Sequence, residues 1–191
     1  MFDEVITGFG RTGQTFAAQS FGVTPDIMTM AKGITNGALP MGAVAVSERI
    51  HDTIMAAAPD GAIELFHGYT YSGHPMASAA AIASLDIYNE QKLFARAAEI
   101  APYFEAAMHS LKGFPNVIDI RNIGLIGIVE LAPRAGKPGT RGYETFVDCF
   151  RSGVLVRPAG DTLAFSPPLV VEKPHIDRMV ETLGAAIERA A

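Results

Sequence analysis

Asp26-Ile27-Met28-Thr29-Met30-Ala31-Lys32-Gly33 carries a single basic side chain at the end of a run that is otherwise mostly apolar. The spacing predicts a strand over Asp26–Ala31. A strand apolar almost throughout suggests a sheet covered on both faces. Toward the N-terminus, Met1-Phe2-Asp3-Glu4-Val5-Ile6 reads as a second short apolar strand, and Asp3 ends it. Toward the C-terminus a loop containing Gly33, Asn36, Gly37 and Pro40 leads to a third strand, Gly42–Ser47. An end strand exposes apolar surface unless something covers it, so a core-type strand opening at Phe2 is an unusual start. The expectation is a fragment of something longer, beginning at an internal methionine.

Beyond the third strand, Ser47 is suited to cap a short helix reaching Pro59. His67–Pro75 is a polar and aromatic loop, and Pro75 suits the first turn of the Ala-rich helix Met76–Asn89. A second helix over about Gln91–Leu111 contains Pro102 and is expected to bend there, with Gly113 and Pro115 ending it. The remainder alternates as strands Val117–Ile120 and Leu125–Leu131, a helix Tyr143–Ser152, strands Val154–Arg157 and Leu163–Phe165, and an amphipathic helix Pro174–Arg189. Ile176, Met179, Val180, Leu183 and Ile187 share one face of that last helix. This is a compact split α+β unit, and the domain boundary is expected near Glu90.

Composition narrows the class. Of 191 residues, 49% are hydrophobic and 18% charged, enough for a core and too few charges for a disordered tail. A net charge of −5 argues against nucleic acid or anionic membrane as partner. Cys149 is the only cysteine, so no internal disulfide forms and a reducing cytosol fits. No run reaches the roughly 18 apolar residues of a membrane span, and no signal peptide is evident. The expectation is a soluble cytoplasmic protein.

Several motifs admit two readings each. Gly8-Phe9-Gly10-Arg11-Thr12-Gly13 matches the dinucleotide fingerprint, which also needs a helix opening at the third glycine and an acid about 20 residues on. Gly22 and Pro25 follow quickly instead. Lys32 is either a strand-end lysine reaching solvent or a partly desolvated amine able to attack an aldehyde. In His67-Gly68-Tyr69-Thr70-Tyr71-Ser72-Gly73-His74-Pro75, Thr70 and Ser72 are candidate phosphate donors beside a helix N-terminus; the alternative is a polar cap on that helix. His67 and His74 are too isolated for a metal site, and none is expected. Arg157 is a candidate fork for a carboxylate, unless it pairs with Asp161, and Arg121 is its rival. An amine and an anion at the ends of two strands suit pyridoxal 5'-phosphate, which needs one to hold its aldehyde and the other to keep its ring nitrogen protonated. The alternative is an ordinary ion pair at a sheet edge.

With these motifs in order, the chain resembles the class III pyridoxal-phosphate aminotransferases of the aspartate-aminotransferase fold type, PLP fold type I, and most of all the ω-amino acid (β-alanine):pyruvate transaminases. The stretches that carry the resemblance are Phe2–Gly13, Pro25–Val46, His67–Pro75, Val117–Gly124 and Val156–Thr162. It implies an α/β chain: residues 1–90 as the C-terminal part of the large cofactor domain, and 91–191 as the small α+β domain. The small-residue loop that cradles the phosphate, the aromatic on the other ring face and the first part of the sheet would lie outside it. The resemblance also implies roles. Asp3 would meet the pyridine nitrogen, Val5 one ring face, and Thr70 the phosphate of the neighbouring protomer in a homodimer. Lys32 would hold the cofactor covalently, and Arg157 would bind the substrate carboxylate. The implied partners are a small amino donor such as β-alanine and an oxo-acid acceptor such as pyruvate. Two other readings stand beside this one: an inactive remnant acting only by association, and a nicotinamide-dependent oxidoreductase resting on the glycine-rich loop.

Overall fold

A computed structural model describes residues 1–65 and 67–191. The chain divides into two units, residues 1–10 with 14–93 and residues 11–13 with 94–191.

The first unit is built on three strands, β1 (Phe2–Asp3), β2 (Ile27–Met30) and β3 (Ala43–Val46), in that order. β1 runs parallel to β2, but β3 is antiparallel to it, with Met30 opposite Ala43. A parallel neighbour would need a crossover connection, and no crossover helix separates β2 from β3. Their connection is a loop with one 3-10 turn, Lys32–Ile34, and the chain simply reverses. No residue of the three strands is buried, so the two-sided cover read from their apolar character is not supplied within this unit. Its helices are α1 (Ala17–Ser20), α2 (Glu48–Ala57) and α3 (Pro75–Glu90). Ser47 stands at the N-cap of α2, yet its hydroxyl makes no capping bond. At α3, Pro75 opens the first turn and His74 Nδ1 accepts from the Ala77 amide at 3.4 Å.

The second unit contains α4 (Leu93–His109, whose first residue belongs to the other unit), β4 (Val117–Ile123), β5 (Ile126–Leu131), α5 (Thr140–Arg151), β6 (Arg157–Ala159), β7 (Thr162–Phe165) and α6 (Lys173–Arg189). Its sheet is antiparallel throughout, in the order β4-β5-β7-β6. β5 and β7 alternate inward and outward. Val129, Leu131, Leu163 and Phe165 are buried, as are Phe104 and Met108 of α4 and Ile176, Leu183 and Ile187 of α6. Each such side chain contributes about 1.5–3 kcal/mol by leaving water. A Cβ at Gly127 would lie 2.8–2.9 Å from Met108 and Phe104, so glycine lets α4 settle directly on β5.

α4 continues through Pro102 without ending. The strand expected at Val154–Arg157 is displaced. Val154 and Val156 are buried and Leu155 exposed, an alternation that mimics a strand, but the ladder begins only at Arg157. Pro158 sits inside β6, tolerated because β6 is the outer strand and its missing N–H faces no partner. Among the described residues no helix is long and apolar enough to cross a membrane.

Candidate active site

Asp3 ends β1, and Lys32 follows β2 by two residues. Because the two strands are parallel neighbours, with Asp3 beside Thr29, both groups emerge at the same carboxyl edge of the sheet. In open α/β sheets that edge is where ligands bind. Asp3 is exposed rather than buried, and its Oδ1 is held by the Val5 amide at 3.1 Å and the Thr29 hydroxyl at 3.2 Å. Two donors on one oxygen fix the carboxylate and leave Oδ2 directed elsewhere. Val5 is half-buried in the turn that follows β1.

The lysine turn is tightly built. Lys32 has φ 47°, a left-handed conformation that a residue other than glycine adopts only when its surroundings impose it. The surroundings are specific. A Cβ at Gly33 would come within 2.7 Å of Phe9, so the Phe9 side chain closes directly over Gly33. The Tyr88 hydroxyl donates to the Gly33 carbonyl at 2.7 Å, and the Phe9 and Tyr88 rings stack at 6.3 Å. Thr35 is buried and donates to the Leu39 carbonyl at 2.6 Å, fixing the chain just beyond. Among the described residues Lys32 makes no ion pair. The edge ion pair with Asp3 is therefore not formed, and amine and carboxylate both remain available.

Glu4, beside Asp3, was not singled out by its sequence. It is fully buried, and its carboxylate accepts from the Ala17 and Ala18 amides at 3.0 and 2.8 Å and from the Thr7 hydroxyl at 2.5 Å. It supplies the anion at the start of α1 and ties the glycine-rich loop to the strand that carries Asp3. That loop thus supports the lysine turn through Phe9. No dinucleotide-type helix opens at Gly13, since α1 has four residues and begins at Ala17, which removes the structural basis of the oxidoreductase reading.

Thr70 lies in the exposed loop before α3, and no contact joins it to Asp3 or Lys32 among the described residues. A cavity of about 850 Å³ lies beside this loop, lined among others by Leu39, Met41, Tyr71, Ser72 and His74. In the second unit Arg157 opens β6 rather than ending a strand, and it is exposed. Asp161 does not pair with it, because both carboxylate oxygens are taken by the Gly139 and Gly142 amides at 2.6 and 2.9 Å. Arg157 thus has no ion pair among the described residues. Its rival Arg121 is engaged by Glu130 at 2.8 Å and by Asp119, which hold its guanidinium charge more firmly and raise its pKa.

Residues 1–187 match the model of the family described as aminotransferase class-III, and the chain belongs to that family. It is 58% identical over 183 residues to an omega-aminotransferase of Caulobacter vibrioides, covering 96% of this chain and 42% of the relative. It is 49% identical to a beta-alanine–pyruvate aminotransferase of Pseudomonas aeruginosa, covering 100% of this chain and 43% of that protein. Among solved structures, an (S)-enantioselective omega-transaminase from Thermomicrobium roseum superposes with a TM-score of 0.89 at 37% identity, covering 98% of this chain and 42% of that one. A transaminase described with L-alanine gives 0.92 at 36%, covering 98% and 45%. The fold is accordingly that of the transaminases, and the chain spans about two fifths of the length of these relatives.

Proposed function

We propose that this chain contributes the lysine, the ring-nitrogen partner and the carboxylate-binding arginine of a pyridoxal-phosphate transaminase. The reaction moves an amino group from an ω-amino acid or amine such as β-alanine to an oxo acid, with pyruvate as the favoured acceptor. One observation carries this reading: Asp3 and Lys32 leave neighbouring parallel strands at the same edge and do not pair. Residues that merely stabilised a sheet edge would neutralise each other. When bound, the cofactor supplies an aldehyde that takes up the amino group and a ring that accepts the electron pair released when carbon loses a proton. Lys32 Nζ would be the amine that holds the cofactor through its aldehyde, and, when not so engaged, would take and return the proton at the substrate carbon as a base. Asp3 Oδ2 would keep the ring nitrogen protonated, and Val5 would supply an apolar surface for the ring. Thr70 would donate to the cofactor phosphate of a neighbouring protomer in a homodimer, and Arg157 would receive the substrate carboxylate in two hydrogen bonds. Residues 1–90 then serve as part of the cofactor domain and 91–191 as the small domain.

Borohydride reduction of cofactor-loaded protein, prepared at the length of the relatives and carrying these residues, tests the assignment. Peptide mapping should place the label on Lys32. Lys32→Ala should lose both the label and transamination. A label on another lysine, or a reducible cofactor bond in Lys32→Ala, would overturn it.

A further inference from the structure

Arg157 stands at the start of a hairpin whose tip is the two-residue turn Gly160-Asp161. Gly160 has φ 62° and Asp161 does not share the positive region, the pairing of a hairpin turn with glycine in first place. β6 by itself is weakly held. It has three residues, pairs with β7 alone, and its central residue Pro158 has no N–H to donate. Asp161 supplies the anchorage that the ladder lacks. Its carboxylate takes the amides of Gly139, the N-cap residue of α5, and of Gly142 in the first turn. Those amides have no partner inside the helix, and the positive end of the helix dipole favours an anion there. Gly139 has no side chain with which to cap its own helix, so the cap arrives from the hairpin.

The approach is close. A Cβ at Gly142 would lie 2.2 Å from the Gly160 carbonyl oxygen, so only glycine admits the turn at this distance. The Asp161 carbonyl also accepts from the Leu131 amide at 3.0 Å, clamping the tip to the end of β5. The geometry points to Asp161 as a positioning residue for Arg157: it pins the hairpin to α5 and β5, so that a substrate carboxylate meets the guanidinium at a fixed place. Asp161 touches no substrate in this arrangement, and the inference rests on the reading of Arg157 given above. Charge-assisted hydrogen bonds to two amides are strong and directional, whereas the short edge strand is not.

The test compares half-reactions with β-alanine and with propylamine, which has no carboxylate, in cofactor-loaded protein of the relatives' length carrying these residues. Arg157→Ala should weaken the apparent affinity for β-alanine by roughly one to two powers of ten and affect propylamine far less. Asp161→Ala should weaken β-alanine about tenfold, with a maximal rate changed by less than about threefold, because a displaced fork costs binding geometry and leaves the lysine chemistry in place. Asp161→Asn keeps one accepting oxygen and should fall between wild type and the alanine variant. Amide exchange at Gly139 and Gly142 should speed up in Asp161→Ala and stay unchanged in Arg157→Ala. If Arg157→Ala slows both donors alike, the role of Arg157 falls and the inference with it. If Arg157→Ala discriminates but both Asp161 variants slow the two donors equally, or neither, Asp161 is only a cap and the inference is wrong. Should Asp161→Ala not fold, the donor ratio of Asp161→Asn decides by the same criterion.

Discussion

The two units bury their apolar residues differently. In the second, β5 and β7 place every other side chain in a sealed interior, and α4 and α6 bring Phe104, Leu183 and Ile187 to meet them. In the first, no strand residue is buried, and Val44, Tyr71, Met76 and Ile82 lie open. Asp3 and Lys32, the groups proposed to hold the cofactor, sit in the unit whose apolar strands its own residues do not cover. The arginine proposed to select the substrate sits in the unit that encloses its own core. Apolar character along a strand therefore reports that a covering layer is needed, not where in the chain that layer comes from.

The sharpest way to break this comparison is to open the enclosed core. Phe104 is fully buried, and the absence of a Cβ at Gly127 lets its ring lie against β5. Phe104→Ala should destabilise the chain by about 3–5 kcal/mol, read as a lower urea midpoint at unchanged slope. A loss under about 1 kcal/mol would show that the second unit tolerates a void and is no better packed than the first.

The second unit was the more legible in sequence, for the same reason. Ile176, Val180, Leu183 and Ile187 recur at helical spacing because α6 has one dry face, and all four are buried. Where two physical preferences compete, the pattern misleads. Val154-Leu155-Val156 alternates like a strand, but its two valines are buried by packing without a ladder, and Pro158 hides a real edge strand. In the first unit Asp3 and Lys32 stood out through motif order, and the resemblance to the family rested on that order. The parts that support them did not. Nothing local distinguishes Glu4 from Asp3, since which carboxylate turns inward is decided by the amides of Ala17 and Ala18. Gly33 was the one available hint that another side chain closes over the lysine turn. Asp161 stood out only as a partner for Arg157, and its capping of α5 was hidden for a similar reason: its partners Gly139 and Gly142 come from a different segment.

A smaller effect sharpens the contrast from the other side. Val44 is 63% exposed and Val46 45% exposed on β3, the outer strand of the first sheet. An open strand edge carrying apolar side chains invites association between copies. The 191-residue chain should therefore sediment as concentration-dependent oligomers. The double variant Val44→Thr/Val46→Thr keeps the branched shape and should shift the distribution toward monomer, while the unfolding free energy changes by less than about 0.5 kcal/mol per site. An unchanged distribution would move the association surface away from this sheet.

The mildest prediction asks whether the second unit excludes water as fully as its packing implies. Cys149 lies on the inner face of α5, and burial pushes its thiol from an ordinary 9.0 up to about 11. The neighbouring Asp148 charge adds to the rise, and Arg189 opposes it. The raised value favours the neutral thiol in the folded state. Below pH 9 both states keep the proton and the thiol contributes its full stability. Above 9 the unfolded thiol ionises while the folded one does not, so stability falls as pH climbs toward 11 and levels off beyond. The readout is a difference, which cancels every other alkaline effect common to both proteins: the wild type should lose more stability from pH 9 to 11 than Cys149→Ala, which has no thiol to ionise. Alkylation at pH 8 should likewise be slow in the native chain and fast in urea, because only the thiolate reacts and the buried thiol withholds it. Parallel pH profiles for the two proteins, or rapid native alkylation, would mean that water reaches α5 from inside and that the contrast between the units is one of degree.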